Sequence, residues 1–272
     1  MLPSILYGTA WKEERTRGLV RKAIEQGFRG IDTANQRKHY HEAAVGEGIR
    51  DAIDAGLVTR QNLFLQTKFT FRDGQDHRLP YDPSVPIAEQ VEQSFTSSLA
   101  HLGVEKIDSY VLHGPCRQKG FGENDWQAWQ AMESIQRSGR TEFLGISNCS
   151  LEQLVSLTES CEIHPRFVQN RCYAAEGWNR DVREFCRSNG IMYQGFSLIT
   201  ANARILNLPQ VLQLADKYHC RVAPLIFSFA IGVGMLPLTG TTNPQHMEMD
   251  LSHVTLDQPD LAFLESLIAY NS

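Results

Sequence analysis

The chain has 272 residues, enough for one large domain or for two small ones. Its formal net charge of −5 excludes the strong positive field that holds a polyanion, so we expect no nucleic-acid partner. The most apolar stretch, residues 223–238, is shorter than a membrane span and contains Pro224, Ser228 and Pro237, so we also expect no membrane partner.

Short apolar or β-branched runs alternate with amphipathic helical windows along the chain. Strands are expected at Ser4–Tyr7, Phe28–Asp32, Leu63–Thr67, Asp108–Leu112, Phe143–Ile146, Phe167–Gln169, Ile191–Gly195 and Met235–Leu238. Helices are expected at Glu13–Gln26, Glu42–Ala55, Ile87–Leu102, Trp126–Arg137, Leu151–Cys161, Arg180–Ser188, Pro209–Tyr218, Pro224–Phe229 and Pro259–Ile268.

This alternation gives roughly eight strand–helix pairs, which is the pattern of a parallel sheet with helical crossovers. No Gly-x-Gly-x-x-Gly motif follows the first strand, so the pattern favours a closed (β/α)₈ barrel over an open sheet. We therefore predict an α/β fold with a single barrel domain spanning residues 1–272. The loops Arg72–Pro86 and Pro115–Asp125 follow strands, where a barrel carries its functional residues.

The amino terminus lacks the basic start and apolar run of a signal peptide, so we expect a cytoplasmic protein. The six cysteines contain no Cys-x-x-Cys pair and are expected to be reduced thiols. The nine histidines are scattered and show no metal-binding spacing, so no metal is expected.

Three polar residues end consecutive predicted strands: Asp32, Lys68 and His113. Each alone is as easily a cap, a solvated side chain or a structural residue, but in a barrel all three meet at one rim. A Lys ammonium beside a tyrosine favours the phenolate and lowers the phenol pKa, which suits the tyrosine to proton donation. Tyr40, eight residues after Asp32, is the candidate acid. The set is suited to polarising a carbonyl group and includes no nucleophile–base pair.

Five segments, in this order, resemble the aldo-keto reductase superfamily across nearly the whole chain. They are Gly-Ile-Asp-Thr-Ala at 30–34, Tyr40 with Glu42 and Val-Gly-Glu at 45–47, Leu-Gln-Thr-Lys at 65–68, Asp-Ser-Tyr-Val-Leu-His at 108–113, and Gly-Ile-Ser-Asn at 145–148. The resemblance implies a catalytic tetrad of Asp32, Tyr40, Lys68 and His113. Tyr40 would be the general acid, and His113 would orient the carbonyl.

The resemblance also implies a nicotinamide dinucleotide as cofactor and a small carbonyl compound as substrate. Ser147, Asn148 and Gln169 would bind the carboxamide, Phe196 would stack on the nicotinamide ring in place of the family's usual tyrosine, and Ser197 and Leu198 would flank the pyrophosphate. The remaining cofactor residues would be Gly240, Thr241, Thr242 and His246. Trp11, Phe69 and Trp126 are expected to line the substrate pocket, and the protein is expected to be a monomer or a weak homo-oligomer.

The sequence departs from the family pattern in three places. The family spacing would put its tyrosine at His39, and we assign Tyr40 because an imidazole cannot replace a phenol acid without changing the pH behaviour. The family's Lys-Ser…Arg segment, which binds the 2′-phosphate of NADP, reads Gly-Thr-Thr-Asn-Pro-Gln-His at residues 240–246. NADP is still expected as the cofactor of the family, and the loss of both cations makes NAD the close alternative. The given sequence stops soon after Ile268, the end of the last predicted helix, and closes with Asn271 and Ser272, so a minimal outer wall of the pocket is expected.

Two functions follow from these observations. One is NAD(P)H-dependent reduction of aldehydes or ketones. The other, kept open by the irregular position of Tyr40, is a catalytically weak barrel that binds a nicotinamide nucleotide as a sensor or regulatory subunit.

Overall fold

The chain folds into a closed barrel of eight parallel strands, in a computed structural model that describes residues 2–267. The strands are β1 (Leu6–Gly8), β2 (Gly30–Asp32), β3 (Phe64–Phe69), β4 (Ile107–Leu112), β5 (Thr141–Ser147), β6 (Phe167–Arg171), β7 (Met192–Phe196) and β8 (Leu236–Thr239). Each strand pairs with the next along the chain, and β8 pairs with β1 to close the barrel. The predicted (β/α)₈ barrel is therefore confirmed.

Eleven α-helices connect or flank the strands within residues 2–267. They are α1 (Thr16–Glu25), α2 (Glu42–Asp54), α3 (Ile87–Leu102), α4 (Glu123–Arg137), α5 (Leu151–Ser160), α6 (Arg180–Ser188), α7 (Ala203–Leu206), α8 (Pro209–Lys217), α9 (Val222–Gly232), α10 (Pro244–Asp250) and α11 (Gln258–Glu265). None of these helices has the length and apolar character needed to cross a lipid bilayer.

Most predicted elements are present, and their bounds shift for local reasons. Helix α4 begins three residues earlier than predicted, because the Asp125 carboxylate accepts hydrogen bonds from the backbone of Gly122 and Cys116 and so fixes the first turn. The short helices α7 and α10 were not predicted. The predicted end of the last helix, Ile268, and the tail Asn271–Ser272 lie outside the described residues.

The barrel interior is layered along its axis, because alternate residues of each strand point inward. The amino-terminal end is filled by an apolar cluster of Leu6, Phe64, Phe167, Leu236 and Leu238. Two residues further along β3 and β6, the inward positions hold glutamines, which bond to Asp32 at the end of β2. The apolar layer fills the amino-terminal end of the barrel, and the inward-pointing polar side chains of Asp32 and the glutamines lie towards the other end.

Glycines allow helix α2 to approach both of its neighbours closely. A Cβ atom on Gly46 would lie 2.0 Å from the carbonyl oxygen of His101 and 2.8 Å from the Cα of Leu102, both backbone atoms of α3. A Cβ on Gly48 would lie 2.5 Å from the carbonyl oxygen of Arg17 in α1. Backbone atoms cannot move aside as a flexible side chain does, so these positions require glycine.

Replacing Gly46 should therefore weaken the packing of α2 on α3. Gly46→Ala is expected to lower the free energy of unfolding by about 1–3 kcal/mol, the range for overpacked sites. Gly18→Ala is the matched control, because Gly18 is also helical and nothing lies within 4 Å of its added Cβ. The control should be neutral or more stable. Urea unfolding compares the two, and equal stability of both variants would contradict the close approach.

Candidate active site

A cavity of about 880 Å³ opens at the carboxyl ends of the strands. Most of the residues predicted for the site line it: Trp11, Asp32, Tyr40, His113, Ser147, Asn148, Gln169, Phe196, Ser197, Leu198, Gly240, Thr241 and His246. The strand order brings them together, because parallel strands in a closed barrel end at the same rim.

The floor of this cavity rests on a buried ion pair between Lys68 of β3 and Asp32 of β2. The Lys68 Nζ lies 2.7 Å from each carboxylate oxygen of Asp32, and the two side chains are 0% and 3% exposed. The same ammonium donates to the carbonyl of Thr33 at 2.8 Å. Three acceptors thus surround an ammonium that has three protons. Burial lowers the pKa of Lys68, and the charge of Asp32 opposes that shift.

Two buried glutamines bond the Asp32 carboxylate and a third joins them, a group that is not predicted from the sequence. The Nε2 atoms of Gln66 and Gln169 donate to Asp32 Oδ1 at 2.7 and 2.9 Å. Both also donate to the Oε1 of Gln194, whose own Nε2 donates to Gln66 Oε1. A carboxylate can only accept, so the orientation of both amides is fixed. Gln169 has thereby used both of its amide protons, and its carbonyl oxygen is left for the cavity.

Tyr40, rather than His39, lies against the ion pair. Its ring centroid is 5.4 Å from Lys68 Nζ and 5.9 Å from the centroid of the His113 ring. The His39 ring instead packs on Trp11, with the centroids 4.0 Å apart. The side chains of His39 and Tyr40 both line the cavity, but only the Tyr40 ring lies against Lys68 and His113.

The predicted lowering of the Tyr40 pKa is wrong for this arrangement. Burial raises the pKa of Tyr40, and the nearby Asp32 carboxylate raises it further. The Lys68 ammonium donates to Asp32 and Thr33, and no hydrogen bond joins it to the Tyr40 hydroxyl, both residues being within the described part of the chain. Tyr40 is therefore a protonated phenol at neutral pH.

His113 is held at its backbone from two sides and is uncharged. Its N–H donates to the carbonyl of Phe69 at 2.9 Å, and its carbonyl accepts from Asn148 Nδ2 at 2.7 Å. Its Nδ1 lies 2.7 Å from the hydroxyl oxygen of Thr70. Burial, assisted by the positive charge of Lys68, lowers the pKa of His113 to about 3. The imidazole is neutral across the physiological pH range and has one N–H to donate.

Two residues that line the cavity have a left-handed backbone conformation. Asn148 has φ 50° and Ser197 has φ 59°. Asparagine tolerates this region better than most residues, and the backbone N–H of Asn148 donates to the backbone carbonyl of Gln169 at 3.0 Å. The Ser147 hydroxyl donates to the same carbonyl at 2.6 Å. Neighbouring Phe196 is only partly buried, and the guanidinium of Arg171 lies 5.6 Å from its ring.

Lys12, which follows β1, also lines the cavity and was missed in the sequence. It is 5% exposed, and its Nζ donates to the carbonyl of Gly240. Burial, with the charge of Arg15, lowers the pKa of Lys12 to about 8. Among residues 2–267, no carboxylate forms an ion pair with it. Its position shortly after the first predicted strand, at the same rim as Asp32 and Lys68, is the sequence feature that indicates a site residue.

Besides Lys68, which is fully buried beneath the floor, three predicted residues do not line the cavity. Phe69 faces the helices and packs on Phe71 and Tyr81, because it follows the inward-pointing Lys68 on the same strand. Trp126 packs on Phe121, with the ring centroids 4.8 Å apart, on the outer side of the barrel. Thr242 is exposed and does not line the cavity. Thr70 and Phe71, just after Phe69, line the cavity instead.

The altered segment at residues 240–246 runs into the short helix α10. The Asn243 side chain accepts from the backbone N–H of Gln245 at 2.9 Å and caps this helix. At its far end, Asp250 accepts a hydrogen bond from the Thr239 hydroxyl at 2.7 Å. Burial raises the pKa of Asp250 to about 6. This part of the cavity therefore combines hydroxyl groups, His246 and Lys12 with one buried carboxyl group.

No cluster of three or more His, Cys, Asp or Glu side chains suited to a metal occurs in residues 2–267. All six cysteines are free thiols, and Cys149, Cys172 and Cys186 are buried.

Comparison with known proteins assigns the chain to a family. The model of the Aldo/keto reductase family matches residues 5–269. The oxidoreductase YtbE of Bacillus subtilis is 28% identical over 250 residues, covering 91% of this chain and 82% of the relative. The aldo-keto reductase AKR2E4 of Bombyx mori is 29% identical over 251 residues, covering 88% of this chain and 77% of the relative. The crystal structure of AKR2E4 in complex with NADP superimposes with a TM-score of 0.81 at 26% identity, covering 98% of this chain and 89% of that one.

Proposed function

Because the chain belongs to the Aldo/keto reductase family, we propose that it reduces aldehydes or ketones to alcohols with NADPH as the reductant. The observation that carries this proposal is the convergence of two neutral proton donors, Tyr40 and His113, on one cavity beside the Lys68–Asp32 pair. Such a pair of donors suits an oxygen atom that gains negative charge.

The residues of the cavity fit a nicotinamide dinucleotide. The side-chain oxygen Oε1 of Gln169 and the Asn148 side chain would hold the carboxamide, and the partly exposed Phe196 ring offers an apolar face for the nicotinamide. Lys12 supplies a buried positive charge for the phosphates. NADP is the preferred dinucleotide in this proposal, in keeping with the NADP bound to AKR2E4. Because the family's Lys and Arg are absent from residues 240–246, the proposal includes weaker binding of the 2′-phosphate.

In the proposed reaction, the bound dinucleotide supplies a hydride to the carbonyl carbon. The protein's own residues act on the carbonyl oxygen. His113 donates a hydrogen bond to this oxygen and orients it, while Tyr40 transfers its proton as the charge develops. The C=O double bond becomes a C–O single bond, the carbon gains hydrogen, and the oxygen gains the phenol proton.

The Lys68–Asp32 pair acts after this transfer. The phenolate left on Tyr40 lies close to the Lys68 ammonium, whose charge stabilises it until a proton returns from solvent. The raised pKa of Tyr40 in the resting site keeps the phenol protonated before each turnover and favours the return of the proton afterwards.

Removal of the Tyr40 hydroxyl tests the assignment of the acid. Tyr40→Phe should lower turnover of 4-nitrobenzaldehyde with NADPH by about 100-fold or more, the contribution of a general acid, with NADPH affinity unchanged. Tyr218→Phe is the control, since its hydroxyl bonds Asp260 on the surface away from the cavity. Full activity of Tyr40→Phe would refute the assignment. Wild-type protein that binds NADPH without consuming it would favour a sensor or regulatory subunit.

The charge of Lys12 should make NADPH binding dependent on pH. Because the pKa of Lys12 is lowered to about 8, the side chain is charged at pH 7 and largely neutral at pH 9.5. The NADPH dissociation constant, followed by fluorescence quenching, should therefore rise by about tenfold over this interval, as expected for a lost charge-assisted contact.

The control is Lys12→Met, which keeps the apolar stem and has no titrating amine. This variant should bind NADPH weakly at pH 7 and show little further change up to pH 9.5. A variant whose affinity still falls tenfold over the same interval would show that another group is responsible.

A further inference from the structure

Neutral His113 can carry its single proton on either ring nitrogen, and the two forms present opposite groups to the cavity. With the proton on Nε2, the ring donates to a substrate oxygen from that atom. With the proton on Nδ1, Nε2 carries a lone pair that repels the same oxygen. The proposed reaction needs the first form, so the residue in contact with Nδ1 determines whether His113 can work.

That residue is Thr70, whose hydroxyl oxygen lies 2.7 Å from His113 Nδ1. The two possible assignments of the proton are not equivalent. If the hydroxyl donates to Nδ1, both groups are satisfied and Nε2 carries its proton towards the cavity. If Nδ1 donates instead, the hydroxyl proton has no acceptor among the described residues, in a residue that is only 6% exposed. An unsatisfied buried donor is unfavourable, so the first assignment is preferred.

Thr70 is also held so that its hydroxyl has little freedom to turn away. Its carbonyl accepts from the Tyr81 hydroxyl at 2.8 Å and from Gln75 Nε2 at 3.4 Å. Its methyl group lies where Gly74 leaves room, since a Cβ on Gly74 would be 2.7 Å from Thr70 Cγ2. A β-branched side chain fixed at both backbone and methyl keeps one rotamer, with the hydroxyl towards the imidazole.

We propose that Thr70 is a positioning residue that fixes His113 in the tautomer with the proton on Nε2. Thr70 donates its hydroxyl proton to Nδ1 and does not itself touch the substrate carbonyl. The importance of this contact for catalysis rests on the proposed reductase function, whereas the tautomer is a property of the protein alone and is measured without turnover.

The tautomer is tested by ¹⁵N NMR of protein labelled in the histidine rings, with His113 identified by the loss of its signals in His113→Asn. The wild-type ring should show a protonated Nε2 and an unprotonated, hydrogen-bonded Nδ1 between pH 6 and 8. Thr70→Val should lose the hydrogen-bond shift at Nδ1 and the single tautomer. A proton on Nδ1 in the wild type, or unchanged ring shifts in Thr70→Val, would overturn the proposal.

Two substitutions then separate hydrogen bonding from packing. Valine keeps the shape of threonine and lacks the hydroxyl, whereas serine keeps the hydroxyl and lacks the methyl group. If the hydroxyl is what matters, kcat/KM for 4-nitrobenzaldehyde should fall about tenfold or more in Thr70→Val and recover in Thr70→Ser, with NADPH affinity unchanged in both.

A purely structural role predicts the reverse order, in which valine resembles the wild type and serine is impaired, and this result would overturn the proposal. If the wild-type protein consumes no NADPH, the proposed function fails. The NMR measurement still decides whether Thr70 sets the tautomer.

Discussion

The interior of this barrel is organised by one buried ion pair, Lys68 with Asp32. Removing both charges from water is unfavourable, and the pair is tolerated because each charge is met by several partners at hydrogen-bonding distance. Asp32 Oδ1 alone receives donors from Lys68, Gln66 and Gln169. The orientation of the glutamine amides, and hence the acceptor that Gln169 presents to the cavity, depends on the carboxylate being ionised.

The same pair determines the charge state of the groups above it. Because Asp32 balances Lys68, the cavity floor is close to neutral, and burial becomes the dominant influence on Tyr40 and His113. Burial disfavours the charged form of each group, so the phenol keeps its proton and the imidazole stays uncharged. Both are therefore neutral donors over a wide pH range. Lys12, which has no carboxylate partner within residues 2–267, is a cavity cation whose pKa burial lowers to about 8.

The sequence was sufficient to predict the barrel and the rim residues, because both depend on local patterns. Helices Ile87–Leu102 and Arg180–Ser188 were predicted with their observed bounds, and Gly103, with φ 67°, ends the first of them. Helices α7 and α10, of four and seven residues, are too short to show a helical period.

The features missed in the site depend on side chains far apart in the chain. Gln66 and Gln194 bond across 128 positions, and Thr70 meets His113 across 43. The direction of the Tyr40 pKa shift could not be predicted, since it is set by burial and by which acceptors occupy the Lys68 protons. The position of Phe69 does follow from the sequence, because strand alternation from the inward-pointing Lys68 places its side chain among the helices.

A double-mutant cycle on the ion pair tests this account most directly. Asp32→Asn and Lys68→Met each leave one buried charge without its partner, and each should lower the free energy of unfolding by about 3–5 kcal/mol. The double variant contains neither charge, so its loss should be smaller than the sum of the two single losses by about 1–3 kcal/mol. Urea unfolding in which the two losses simply add would contradict the claim that this pair organises the barrel interior.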